Sequence, residues 1–176
     1  MISVTEALEK LFLIAKVTPV ETVELKKCLG RVLAKPLESS RSNPPFPSSA
    51  MDGYAIHKAN LKSGAEFKVI GESAAGHSYP KKINKNEAVR IFTGSRVPDG
   101  ANLVLMQEDV EADKKFIIVK ENFDKKSNIR LEGSDFSKGY KVKTPLRLGA
   151  KEISLLAAMN FAHLSVRKKP TAVSYT

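Results

Sequence analysis

Between Ala50 and Gly139 the chain repeats short β-type runs, and no other feature narrows its possible folds as much. The runs are Phe67–Ile70, Ala88–Phe92, Leu103–Gln107, Phe116–Val119 and Asn128–Leu131, and Gly, Pro, Asn or Asp residues separate most of them. β-Branched and aromatic side chains suit a pleated backbone, whereas the separating residues favour turns. Runs of this length and spacing predict a small, largely antiparallel β domain. Leu103–Glu111 and Phe116–Lys120, joined across Asp113 and Lys114, are expected to form a hairpin.

Helical signals stand on either side of this region. Ser3 and Glu6 have capping-box spacing, and Ala7, Leu8, Leu11, Ile14 and Ala15 then recur on one helical face until Pro19 ends the pattern. A shorter helix is predicted over Val23–Leu29, closed by Gly30, with Arg31–Ala34 extended before Pro36. From Leu37 to Ala50 the composition turns to Ser, Pro and Asn, which marks a loop or a crossing between domains. After Gly139, Ile153, Leu156, Ala157 and Met159 give Lys151–Met159 helical spacing, and Asn160 is placed to cap its end. The stretch Thr171–Tyr175 is apolar and β-prone and is expected to open a strand.

Composition limits the function classes. With 42% hydrophobic residues in 176, a real core is available. The net charge of +10 invites a nucleic-acid reading, since Lys and Arg release counterions from a phosphate backbone. The lysines, however, fall in scattered pairs without interleaved aromatics to stack bases. Solvated surface or attraction of a small polyanion is therefore expected, and no nucleic-acid partner. One cysteine, Cys28, is too few for a disulfide framework or a structural zinc site, and in a predicted amphipathic helix it is expected to be buried and inert. His57, His77 and His163 lack metal-ligand spacing. With no signal peptide and no apolar run of membrane length, a soluble cytoplasmic protein without membrane association is expected.

Three segments carry candidate chemistry. In Pro44–Ala55, prolines stiffen the backbone, two serines offer hydroxyls, and Asp52 precedes Gly53, where the chain can approach a ligand closely. Such an aspartate suits Mg²⁺, a hard cation that takes one or two carboxylates plus phosphate oxygens, and the alternative is an Asp-Gly turn without further role. In Arg90–Gly100, a β run delivers Thr93 and Gly94 into a loop whose amides, hydroxyl and guanidinium suit an anionic oxygen, although Pro98–Gly100 reads as a turn. In Asn128–Phe136, a strand leads into an acidic turn, and Asp135 could join Asp52 only if the fold brings them together. Glu108 and Asp109 read as structural or turn residues.

Leu29–Ala34, Pro44–Phe46 with Ser49–Ala55, Arg90–Gly94 with Val97–Asn102 and Met106–Asp109, then Asn128–Arg130, Gly133, Asp135–Phe136, Gly149–Ala150 and Ile153–Ala157 follow in order. Together they resemble the molybdopterin molybdenumtransferase family, whose eukaryotic relatives include the E domain of gephyrin. Several collinear motifs are far more specific than any one of them. The resemblance implies a mixed α+β, β-rich fold. In it, residues 1–38 and 140–176 form an elongated, discontinuous α/β linker domain ending in the first strand of a further α/β domain, and residues 39–139 form an inserted, mostly antiparallel β domain.

The resemblance also implies an activity: insertion of molybdate into adenylylated molybdopterin, with a divalent cation such as Mg²⁺ and release of molybdenum cofactor and AMP. It implies a homodimer, with molybdopterin adenylyltransferase as the upstream partner. Asp52, Thr93 and Asp135 are then expected as catalytic residues, Ser49, Met51, Gly53 and Gly94 as substrate-binding residues, and Asp52 as the metal ligand. In the family the cleft forms between this region of one subunit and the α/β domain of the other, so the chain is expected to hold part of a site and to be inactive alone. A non-enzymatic dimerisation or scaffold module is the alternative. Pro47–Ser48 and Ser95–Arg96 depart from the family pattern, which commonly has an acidic or asparagine residue at the first place and a smaller, more neutral pair at the second.

Overall fold

The computed structural model describes residues 2–113, 115–171, 173 and 174. In chain order they form α1 (Val4–Ile14), β1 (Val20–Glu24), β2 (Val32–Leu33), β3 (Leu37–Glu38), β4 (Ser48–Ser49), β5 (Gly53–Ile56), β6 (Glu66–Ser73), β7 (Glu87–Ile91) and β8 (Leu103–Met106). There follow β9 (Val110–Ala112), β10 (Phe116–Val119), β11 (Ile129–Arg130), β12 (Lys141–Val142), β13 (Leu146–Arg147), α2 (Ala150–Ala158) and β14 (His163–Arg167). The chain divides into two compact units, residues 1–40 with 139–176 and residues 41–138. The β-rich character expected from the sequence is present, with several antiparallel sheets and few helices.

In the discontinuous unit a sheet ordered β1-β14-β2-β13 is antiparallel throughout, and β3 pairs with β12. Leu33, Leu148, Leu156, Met159, Leu164 and Val166 are buried in this unit. Arg31, 8% exposed, is held by the Glu21 carboxylate and donates to the Arg167 carbonyl through Nε at 3.2 Å and Nη2 at 2.6 Å. These partners satisfy a charge that would otherwise be costly to bury.

One helix expected in this unit needs correction. Val23–Leu29 is not a helix: Val20–Glu24 is a strand and only Leu25–Lys27 makes a short 3₁₀ turn. The β-branched Thr22 and Val23 are paired with Ser165 and Leu164, and this long-range ladder overrides the local helical spacing. Cys28 is buried as expected, but at the end of that turn, where its thiol donates to the Glu24 carbonyl at 3.2 Å and burial raises its pKa. α1 forms as predicted, with the Ser3 hydroxyl accepting the Glu6 N–H at 3.1 Å. Its apolar face is not a core face, since Leu8, Leu11, Phe12, Leu13 and Ile14 are all exposed. α2 matches its expectation, and Asn160 ends it at φ +68°. Of the strand expected at 171–175, Ala172 and Tyr175 lie outside the described residues, and Thr171, Val173 and Ser174 carry no regular structure.

In the unit 41–138 a six-stranded sheet runs β8-β5-β7-β6-β10-β9, antiparallel except for β6 against β7. The period of two along each strand sorts its side chains to two faces. Leu103 and Leu105 join Ile56, Phe67, Ala88 and Ile117 in one cluster, while Val104 joins Ala55, Ile91 and Val97 in another. The β4–β11 ribbon adds Ile129 to the second cluster.

The hairpin expectation is half right. β9 and β10 pair across the turn containing Asp113, with Lys114 outside the described residues, but β8 does not continue into β9. Residues Gln107–Asp109 form a 3₁₀ turn, and β8 and β9 sit at opposite edges of the sheet. The break is fixed by polar contacts: the buried Asp109 carboxylate accepts the Asp124 N–H at 3.0 Å, and the Gln107 N–H reaches the Asp52 carbonyl at 3.1 Å.

β5 lies between β7 and β8, and its first residue is the tightest point of the sheet. A Cβ placed on Gly53 would overlap the Leu105 carbonyl oxygen and come within 2.8 Å of its carbon. Backbone atoms of a paired strand cannot move aside cheaply. Gly53→Ala is therefore expected to cost on the order of 3 kcal/mol or more in unfolding free energy. Chemical denaturation of the variant checks this, and a stability within error of the wild type would contradict the packing described.

Candidate functional site

Strand β5 begins at the buried Gly53, and the residue before it, Asp52, is exposed at the end of the Ser48–Asp52 segment. A single glycine turn then brings a second segment to it. The turn after β7 closes with the Ser95 N–H on the Phe92 carbonyl at 2.9 Å, and Gly94 occupies φ +82°, which L side chains rarely adopt. Ser49 ties the two segments together: its carbonyl accepts the Gly94 N–H at 2.9 Å and its N–H donates to the Ser95 carbonyl at 3.0 Å.

The result is a direct contact between two candidates from distant motifs. Asp52 Oδ1 accepts the Thr93 N–H at 2.8 Å and the Thr93 hydroxyl at 2.8 Å. These bonds favour the charged carboxylate, so the Asp52 pKa is lowered, first by the Thr93 amide, then by its hydroxyl, with a further contribution from the Arg90 charge. Both bonds fall on one oxygen. Gly53 is required by packing, and the Ser49 hydroxyl is spent within its own loop, donating to the Met51 carbonyl at 2.6 Å. Met51, Asp52, Thr93 and Gly94 are exposed, so the segment presents a carboxylate, a hydroxyl and an open turn to solvent.

Asp135 is held differently. Its carboxylate pairs with Arg130 at 2.7 Å and accepts from the Asn43 amide at 2.9 Å, and it shares neither partner with Asp52. Arg130 lies on β11, opposite Ser48 of β4. Ser95 is buried, while Arg96 is exposed with its guanidinium 5.9 Å from the Phe46 ring centroid. A cavity of about 200 Å³ beside the turn is lined by Phe46, Ala74, Gly76, Ser78, Gly94 and Arg96.

Three more residues meet here: Arg90, which the sequence reading names only as the start of the Arg90–Gly100 segment, Gln107, to which it gives no role, and Glu108, which it reads as a structural or turn residue. Arg90 donates to the Gly53 carbonyl at 3.2 Å and to the Gln107 side-chain oxygen at 2.7 Å. Gln107 in turn donates to the Glu108 carboxylate at 3.0 Å. The Glu108 pKa is lowered, chiefly by that Gln107 bond, although the Asp52 charge acts in the opposite direction. Glu108 stands in the Gln107–Asp109 turn, as its reading as a structural or turn residue expects.

Among the described residues no group of three or more His, Cys, Asp or Glu could form an all-protein metal cage. An ionised Asp52 with Glu108 in electrostatic reach fits Mg²⁺, which keeps most of its coordination for water and substrate oxygens. No helix among the described residues is long and apolar enough to cross a membrane.

A family model described as the MoeA N-terminal region (domain I and II) matches residues 2–160. The chain belongs to the MoeA N-terminal family. The molybdopterin molybdenumtransferase of Staphylococcus aureus strain MRSA252 is 33% identical over 177 residues, covering 97% of this chain and 42% of the relative. That of Staphylococcus epidermidis strain ATCC 12228 is 30% identical over 176 residues, with the same two shares of 97% and 42%. Two crystal structures of the molybdopterin biosynthesis MoeA protein from Pyrococcus horikoshii match at 32% identity with TM-scores of 0.78 and 0.80. They cover 97% and 94% of this chain, and 45% and 46% of theirs. The chain spans less than half the length of these MoeA relatives.

The Asp52–Thr93 contact makes a pH prediction with a definite sign. A carboxylate whose pKa is lowered in the folded state adds stability above its unfolded value, about 3.9 for Asp, and loses it as pH falls through the folded value. Thr93→Val removes the hydroxyl bond and keeps the amide bond, so the Asp52 pKa is expected to rise part of the way and the acid limb of stability to become shallower. Carboxyl ¹³C titration by NMR reads the shift directly, and an unchanged Asp52 midpoint would refute the assignment.

Proposed function

We propose that this chain supplies the Asp52–Thr93 part of the site with which a MoeA-type molybdopterin molybdenumtransferase inserts molybdate into adenylylated molybdopterin, releasing molybdenum cofactor and AMP. The observation that carries this reading is the ionised Asp52 carboxylate, fixed on one oxygen by Thr93 and open on the other to solvent. Family membership supplies the substrate class.

The residues support specific tasks. Asp52 would hold Mg²⁺, with Glu108 adding negative charge nearby, and a bound Mg²⁺ would offset charge developing on a phosphate oxygen. Thr93 orients Asp52, and the turn at Gly94 leaves room for an anionic oxygen to approach. Met51 offers an exposed apolar contact beside them. Asp135, paired with Arg130, would act from the neighbouring β11 end of the loop system. The reading places the 1–38 and 140–176 segments as a linker in an elongated homodimer in the cytoplasm, with the cleft completed by an α/β domain of the second subunit. It takes molybdopterin adenylyltransferase as the upstream partner, and the chain alone as inactive.

The reading is tested with a chimera in which this chain replaces the matching N-terminal part of the S. aureus relative. The chimera is expected to convert adenylylated molybdopterin and molybdate to cofactor, and Asp52→Ala within it to lower the rate by about a hundredfold or more. A chimera without activity, or an Asp52→Ala chimera as fast as its parent, would sink the proposal.

A further inference from the structure

We infer that Arg90 is a positioning residue for the Asp52 site: it fixes the Gly53–Tyr54 peptide, one residue beyond Asp52, and the Gln107 side chain in one arrangement, and so sets where the Asp52 carboxylate stands for Thr93. The inference rests on the role proposed for Asp52, and goes beyond it by assigning the device that holds that residue.

The strand register makes the arrangement. Arg90 on β7 lies directly opposite Tyr54 on β5, and side chains two apart along a strand share a face, so Phe92 lies on the same side. The guanidinium accordingly sits 5.1 Å from the Tyr54 ring centroid and 4.9 Å from that of Phe92. Two aromatic rings restrict a flat cation to few orientations. In the one adopted, Nη1 donates to the Gly53 carbonyl at 3.2 Å and Nη2 to Gln107 Oε1 at 2.7 Å.

Both acceptors are neutral, and both belong to residues bonded to the site. Gly53 follows Asp52 in the chain. Gln107 donates its backbone N–H to the Asp52 carbonyl at 3.1 Å and its side-chain amide to Glu108 at 3.0 Å. Arg90 therefore grips the Asp52 segment on both sides of the gap between β5 and the 107–109 turn. Among the described residues it forms no ion pair, even with Glu72 beside it in the β6–β7 register. Its charge is thus left to act on Asp52 and Glu108, whose mutual repulsion it offsets. A lysine could keep the charge but not reach two acceptors with one planar fork beside two rings.

The Thr93 amide proton reports the position of Asp52, because a hydrogen bond to a carboxylate moves its NMR shift. In the ¹⁵N-labelled chain, without substrate or metal, Asp52→Ala defines the shift of the lost bond. Arg90→Met and Arg90→Lys are each expected to move the Thr93 amide more than about half of the way to that value, while the amides of Ala55 and Val89 in the β5–β7 ladder stay in place. A Thr93 amide that stays at its wild-type shift in Arg90→Met overturns the inference. So does full retention in Arg90→Lys, which would mean that charge alone suffices, and so does a change spread evenly over Ala55 and Val89, which would mean a general structural role. Should the Arg90 variants not fold, Gln107→Ala removes one acceptor of the same fork, and an unmoved Thr93 amide there overturns the inference equally. An inactive chimera would refute the proposed function and leave this readout standing. An unmoved amide would refute the positioning role whatever the chimera does.

Discussion

The close approach of Gly53 to the Leu105 carbonyl is the constraint on which the rest of the 41–138 unit depends. β5 is paired on both sides, and at its first residue the β8 backbone comes so near that only hydrogen fits. A strand pinned this tightly cannot slide, since a shift of one residue would exchange the faces on which Ala55 and Ile56 are buried. The residue before the pinned position, Asp52, lies outside the strand and is exposed.

From this point the two faces of the sheet and the polar network are coupled. β7, the other neighbour of β5, brings Arg90 opposite Tyr54 and ends in the turn that carries Thr93. β8 ends in Gln107–Asp109, whose amide returns to the Asp52 carbonyl. Three consecutive neighbours in the sheet thus send their ends to one place, although they are far apart in sequence. The buried apolar clusters supply the rigidity, and the site is a set of strand ends held by it.

The parts legible in the sequence were those set by local chemistry. Ser3 and Glu6 announced α1, the helical spacing of Ile153, Leu156, Ala157 and Met159 announced α2, and most strands of the β-rich unit followed from β-branched runs between turns. The errors came where a distant partner decided. Val20–Glu24 is a strand because β14 pairs with it, and Leu103–Glu111 breaks because Asp109 and Gln107 have partners at Asp124 and Asp52. The same division runs through the site. Ser49, Met51, Asp52, Gly53, Thr93 and Gly94 stand in two conspicuous loop motifs, and the fold joins those motifs. Arg90 opens one of those motifs and Glu108 reads as a turn residue, but how Arg90 meets Gly53 and Gln107 depends on a register that no single segment encodes.

The bonds that hold Asp52 also restrict what it can do. Two donors on Oδ1 stabilise the anion, and stabilising an anion lowers its affinity for a proton. At neutral pH such a carboxylate is a weak general base, since an effective one has a pKa close to the working pH. The environment would have to raise the pKa for base catalysis, and here it lowers it. What remains favourable is a fixed negative charge with one oxygen free of Thr93, and the Arg90 charge favours the ionised form of both Asp52 and Glu108. That combination suits holding a hard cation against an anionic substrate far better than moving a proton. The proposed use of Asp52 is therefore electrostatic, and the network from Thr93 through Arg90 to Gln107 serves to keep its charge in place.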